Sequence, residues 1–170
     1  NSAMNSGIYE TIEKICLGGI YDHIGGGFAR YSTDEKWLVP HFEKMLYDNA
    51  SLSYLYLNAF KITKDEKYKK TVEKTLDYLS KEMISKDGGI YAAQDADSEG
   101  VEGKFFVWSK KEIEKILNKE ESEKVISYFN ITDEGNFEGK NILNKTEDIA
   151  PEDESLIKTA LSKLYEERSK

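Results

Sequence analysis

The stretch PHFEKMLYDNASLSYLYLNAFKITKDEKYKKTVEKTLDYLSKEM, residues 40–83, decides the fold. Pro40 suits the first turn of a helix, and neither Gly nor Pro interrupts the chain until about Ile62. Thr63, Lys64 and Asp65 make a short connection, after which Tyr68, Val72, Thr75, Leu76, Leu79 and Met83 mark one face of a second helix. The opposite face of that second helix is Lys, Glu and Asp. The first is different in kind: Phe42, Met45, Leu46, Leu52, Tyr56 and Phe60 cover one side, and Tyr47, Tyr54 and Leu55 make much of the other side apolar as well. A helix apolar on two sides followed by an amphipathic one predicts an inner and an outer layer, the former more buried than the latter.

On the N-terminal side, Ile8, Ile12 and Ile15 recur at helical spacing, predicting a helix from about Asn5 to Leu17 that stops at Gly18-Gly19. On the C-terminal side, Ile90 to Ala93 and Phe105 to Trp108 read as two short strands flanking an acidic loop. Ser109-x-x-Glu112 is a capping box opening a helix to about Leu117, and a break near Asn118 leads to a helix ending by Tyr128. Leu156, Ile157, Ala160, Leu161, Leu164 and Tyr165 form the apolar stripe of a last helix. Connections therefore alternate long and short. Helices joined by short loops pack antiparallel, which brings the three long connections to one end of the array. The expected fold is mainly all-α: a partial (α/α)6 toroid of α/α hairpins, with a small β-hairpin in one long loop.

The 170 residues, 39% hydrophobic and 12% aromatic, suffice for one domain with a packed core. Asn1, Ser2 and Ala3, ahead of Met4, resemble a tag remnant, leaving residues 4–170 as the domain. No apolar run approaches the roughly 20 residues needed to cross a bilayer, and no secretory leader is visible, so a cytoplasmic protein is expected. The single cysteine, Cys16, excludes an internal disulfide and is expected in the core. A net charge of −8 argues against nucleic-acid and membrane partners and favours a neutral or cationic small molecule.

Chemistry concentrates in two of the long connections. Residues 18–41 hold five glycines, four aromatics, two histidines and Arg30, a composition that suits either sugar-ring stacking or a folded plug over the helix ends. A phosphate cradle is the weaker alternative, because no GxxxxGK[ST] is present and the Gly25 to Gly27 run does not lead from a strand into a helix. On the helix opened by Pro40, His41, Lys44 and Asp48 fall on one side at i, i+3 and i+7, as a ligand-facing set or as a bridge to a neighbouring helix. Residues 94–103 place Asp95, Asp97, Glu99 and Glu102 close together, so water screens them, a cation binds them, or one keeps its proton. The opening resembles a calcium loop, but its twelfth position is Phe106, which excludes an EF-hand. A carboxylate pair across a cleft is also how most glycosidases work.

Two segments go beyond composition. GGIYDHIGGGFARYSTDEKWLVPHFEKMLYDNA at residues 18–50 and GGIYAAQDADSEGVEGKFFVWSKKEI at residues 88–113 closely resemble a family of bacterial and animal proteins that includes the spermatogenesis-associated thioredoxin-like protein. GNFEGKNIL at residues 135–143 is similar to a third family segment. The resemblance implies an early portion of a helical domain like that of N-acylglucosamine 2-epimerase and the six-hairpin glycosidases. In the longer family members that domain follows a thioredoxin-like one. It implies a carbohydrate-active fold without naming a reaction.

The expected function is thus part of a sugar epimerase, isomerase or hydrolase, inactive by itself. The alternative is a non-catalytic interaction module serving the thioredoxin-like domain. His41, Asp95 and Asp97 are the candidate catalytic residues, with Tyr31, Arg30, Asp48 and Glu102 as candidate substrate-binding residues. No metal and no cofactor is expected. The expected partners are a small sugar, the thioredoxin-like domain of an intact chain, and a second copy docked on the exposed toroid edge.

Overall fold

A computed structural model describes residues 2–170, with side chains from residue 7 onward; of the tag-like residues, Asn1 lies outside the described residues. The elements in chain order are α1 (Ser2–Leu17), β1 (Tyr31–Ser32), β2 (Pro40–His41), β3 (Lys44–Met45), α2 (Leu46–Thr63), α3 (Glu66–Glu82), β4 (Ala93–Gln94), β5 (Asp97–Ser98), β6 (Val101–Glu102), α4 (Lys110–Ile116), α5 (Lys119–Tyr128) and α6 (Glu154–Arg168). The architecture is mainly α, with small antiparallel strand pairs β1–β2, β3–β4 and β5–β6.

Local signals account for most helix ends. Lys64 closes α2 in the left-handed region (φ 61°), and the Asp65 carboxylate accepts from Lys67 N–H to open α3. Ser109 and Asn118 both form full capping boxes, with Glu112 and Glu121 as their reciprocal partners. At the end of α1, Gly18 N–H donates to Lys14 O (2.9 Å). His23 Nε2 then reaches the carbonyls of Leu17 (3.1 Å) and Gly18 (3.0 Å), so that nitrogen carries the proton and caps the helix.

One core packs α1, α2 and α3 around Ile12, Cys16, Tyr56, Ala59, Tyr68 and Val72, and the glycine-rich connection inserts Tyr21 and Phe28 into it. Tyr56 O–H donates to Ile12 O (2.7 Å), and Phe28 stacks on Tyr56 with ring centroids 5.4 Å apart. Burial pushes the Cys16 thiol up to about 12, as befits a core residue. A second core joins α4, α5 and α6 through Ile113, Val125, Ile157 and Leu164. A third, smaller cluster of Phe42, Ala96, Val107 and Ile142 takes one or more residues from each long connection. Those connections meet: Lys44–Met45 pairs with Ala93–Gln94, and Trp108 bridges to Asn141.

Three expectations are corrected. Residues 40–45 are extended rather than helical, and α2 starts at Leu46. Pairing with strands distant in sequence holds the segment out of the helix, and its burial alternates with period 2: Pro40, Phe42 and Lys44 face in, while His41, Glu43 and Met45 are only half-buried. The hairpin of the second long connection is β5–β6, inside the acidic loop, not a pair of strands flanking it. Glu99 (φ 54°) and Gly100 (φ 76°) supply the two left-handed residues of its tight turn. Finally, α2 is not buried on two sides. It buries Asn49, Ser53, Tyr56 and Ala59, whereas α3 buries Tyr68, Thr71, Val72, Thr75 and Tyr78. Tyr47, Tyr54 and Ile62 of α2 are exposed because nothing among the described residues packs on its second apolar face.

Candidate functional site

Where the first two long connections meet, a set of polar side chains converges on His41. The β1–β2 register places Tyr31 opposite His41, and the rings stack with centroids 5.1 Å apart and planes 23° from parallel. His41 Nδ1 lies 3.0 Å from Glu102 Oε1, and Nε2 lies 3.8 Å from Glu43 Oε2. Glu43 in turn accepts from Arg30 (3.3 Å), whose backbone N–H donates to Glu43 O (2.8 Å). The imidazole is therefore held between two carboxylates, with one ring face on Tyr31. Its neighbours come from β1, β6 and the extended segment before α2.

Asp48, in the first turn of α2, stands beside this set. Burial pushes its carboxyl up, Arg30 opposes that shift and Glu43 adds to it. Its Oδ2 is buried and has no hydrogen-bond partner. His41, Lys44 and Asp48 do not share a helix face, because the first two lie in strands. Of the carboxylates in the acidic connection, the one that bonds the imidazole is Glu102. Asp97 pairs with Glu102 across β5–β6 and so lies beside it on the same face. Asp95 accepts from Asp97 N–H (3.1 Å) and shapes the turn. Among the described residues, no three His, Cys, Asp or Glu side chains gather as a metal-ligand set.

Behind this surface lies a buried charge centre that sequence reasoning missed. Lys44 Nζ donates to Asp22 Oδ2 (2.8 Å) and to Gly26 O (2.8 Å), and Arg168 donates two bonds to Asp22, at 3.1 and 3.0 Å. Burial alone would raise the Asp22 carboxyl, but the charges of Arg168 and Lys44 outweigh it and hold the group well below the usual carboxylate range. Lys44 is lowered by burial, against the pull of Asp22. A cavity of about 30 Å³, lined in part by Tyr21, Asp22, His23, Lys44 and Phe106, adjoins this centre and has room for one water.

Gly26 and Gly27 bear on the phosphate-cradle alternative. Both have positive φ, and an added Cβ would overlap the Lys74 carbonyl at the first position and the Tyr78 ring at the second. These glycines let the connection lie flat on α3, and Asn49 pins it to α2 by bonding both Phe28 N–H (2.7 Å) and Phe28 O (3.0 Å).

Sequence comparison adds kinship. Over 113 residues, covering 63% of the chain, it is 45% identical to a mouse protein and 44% identical to its human counterpart. The chain is similar to spermatogenesis-associated protein 20. An uncharacterized protein of Caenorhabditis elegans is 38% identical over 163 residues, covering 81% of the chain. The match spans 14% of the length of the mouse and human proteins and 22% of the worm protein. No family model matches the chain. Among the described residues, no helix is long and apolar enough to cross a membrane.

Proposed function

We propose that this chain is part of a carbohydrate-active helical toroid and that the surface around His41 is one wall of its sugar site. The observation that carries this reading is the stacked Tyr31–His41 pair, half-exposed and flanked by Glu43, Glu102 and Arg30. An aromatic face offers apolar contact to the C–H side of a sugar ring, and carboxylates and a guanidinium around it offer acceptors and donors to hydroxyls. The chemistry that fits is proton transfer at a hydroxyl-bearing carbon or at a glycosidic oxygen, with His41 moving the proton and Glu102 orienting its ring. The test is calorimetric titration of the intact protein with a panel of aldoses and amino sugars. Saturable binding of at least one, lost in His41→Ala and Glu102→Ala, is the expected result. No binding by any sugar, or unchanged binding in both variants, sinks it.

A second reading has its own support. The uncovered face of α2, with Tyr47, Tyr54 and Ile62 exposed, suits a module that docks a thioredoxin-like domain in a longer chain. Charged substitutions at Tyr54 and Ile62 would then weaken docking and leave sugar binding untouched.

A further inference from the structure

Two cations and one carboxylate make up the buried centre of Lys44, Arg168 and Asp22, whose side chains are only 3%, 5% and 8% exposed. Among the described residues, no other carboxylate lies within 4.0 Å of either cation. Glu82, a second carboxylate that favours the charged amine of Lys44, is exposed and takes its hydrogen bond from Tyr165. The interior is thus left with one positive charge in excess. Unbalanced charge away from water costs stability, and an anion beside it removes that cost.

The hydrogen bonds point the same way. Asp22 is saturated: Oδ1 accepts from Ile24 N–H (3.0 Å), Gly25 N–H (2.9 Å) and Arg168 (3.1 Å), and Oδ2 from Lys44 (2.8 Å) and Arg168 (3.0 Å). These donors exceed the roughly four lone-pair sites of a carboxylate, so Asp22 has none to offer a guest. Donors, by contrast, are left over. Lys44 spends two of its N–H groups on Asp22 and Gly26 O, and its amine lies 5.0 Å from the centre of the Phe106 ring, a wall of the adjoining cavity. Tyr21, whose hydroxyl is buried without a partner, lines the same cavity, and Arg168 Nε is also unpartnered. At about 30 Å³ the cavity exceeds the roughly 10–15 Å³ that a water needs, yet it suits a single ion rather than a molecule of several heavy atoms.

We propose that this cavity binds a monatomic anion of the chloride class, with Lys44 and the Tyr21 hydroxyl as its donors. The bound anion supplies the missing negative charge and so strengthens the joint that Arg168 makes between α6 and the glycine-rich connection. Burial lowers Lys44 and Arg168 adds to that against Asp22, so an anion in the cavity works with Asp22 to keep the amine charged. The site shares no residue with the His41 surface and stands whether or not that surface binds sugar.

The test has two arms. In crystals of the protein soaked in sodium bromide, an anomalous difference peak within hydrogen-bond reach of Lys44 Nζ is expected. In thermal unfolding at constant ionic strength, the midpoint should rise as chloride replaces gluconate, an anion too large for the cavity. Tyr21→Phe removes one donor and should raise the chloride concentration of half-maximal effect roughly tenfold. Lys44→Met leaves Asp22 and Arg168 as a neutral pair, so its midpoint should not respond to the exchange. Lys86→Gln, on an exposed connection, should respond as the parent does. An internal water only, with no bromide peak, overturns the site, as does a chloride response that neither Tyr21→Phe nor Lys44→Met alters.

Discussion

Lys44, Asp22 and Arg168 set the terms at the scale of single residues. Two cations and one carboxylate are buried together, so removing the carboxylate leaves two uncompensated charges in the interior. Asp22→Asn should destabilise the fold by about 3–5 kcal/mol, measurable by urea unfolding. A loss below about 1 kcal/mol would mean that water already screens the centre. His23 gives a pH dependence whose sign follows from its burial, which lowers it from 6.5 to about 3, with Lys145 adding to the shift. Between those values the unfolded chain takes up a proton that the folded chain refuses. Stability from this group is therefore complete above pH 6.5 and is lost as pH falls toward 3, at up to about 1.4 kcal/mol per pH unit. Asp22, also lowered, acts in the same direction but only in the carboxylate range below that of histidine. His23→Gln keeps an N–H donor for the α1 carbonyls, so its urea midpoint should change less between pH 7 and pH 5 than that of the parent. Equal slopes would place the pH dependence elsewhere.

Elements of this chain are defined as much by their ends as by their faces. The α4–α5 pair has two consecutive capping boxes, and α4 is so short that its boundary with α5 depends on them. Asn118→Ala should cost about 1 kcal/mol, and Ser109→Ala a similar amount, read from thermal or urea unfolding. If both were silent, core packing around Ile113 and Val125 would be holding the break by itself. Ser109-x-x-Glu112 is visible in the sequence as a box. Asn118-x-x-Glu121 carries the same chemistry, with an asparagine in place of the serine. Residues 40–45 are the counter-example. Their alternation is real, but an inward lysine at position 44 breaks the apolar pattern that advertises a strand, and Pro40 mimics a helix start.

The whole molecule is shaped by what its helices leave uncovered. The outward face of α2 carries Tyr54 at 69% exposure and Ile62 at 72%, with Tyr47 on the same helix also exposed. Such a face in an isolated chain should drive self-association. Sedimentation is expected to show dimers or larger species at high concentration, shifted toward monomer in a Tyr54→Lys, Ile62→Lys variant. A monomer at every concentration would remove the uncovered face as an association surface. The three long connections are tied by β3–β4, by the Trp108–Asn141 bridge and by the shared cluster of Phe42, Ala96, Val107 and Ile142. That joint places His41 against Glu102, 61 residues away in sequence.

Sequence alone determined the helical class, most helix boundaries and the two chemistry-bearing connections, because helical periodicity, capping residues and glycine stops act within a few residues of one another. Several of the candidate residues were legible for the same reason: Arg30, Tyr31, His41 and Glu102 stand out as aromatic, basic or acidic groups in glycine-containing loops. Tertiary structure decided which of them meet. It chose Glu102 over Asp95 and Asp97 as the partner of His41, since strand register and a two-residue turn set which carboxylate points at the imidazole. It also buried Lys44 on an Asp22 that lies 22 residues away and an Arg168 that lies 146 residues beyond Asp22. No local pattern encodes a contact of that span. Its existence depends on the packing of α6 against the glycine connection, and that packing is a property of the assembled chain.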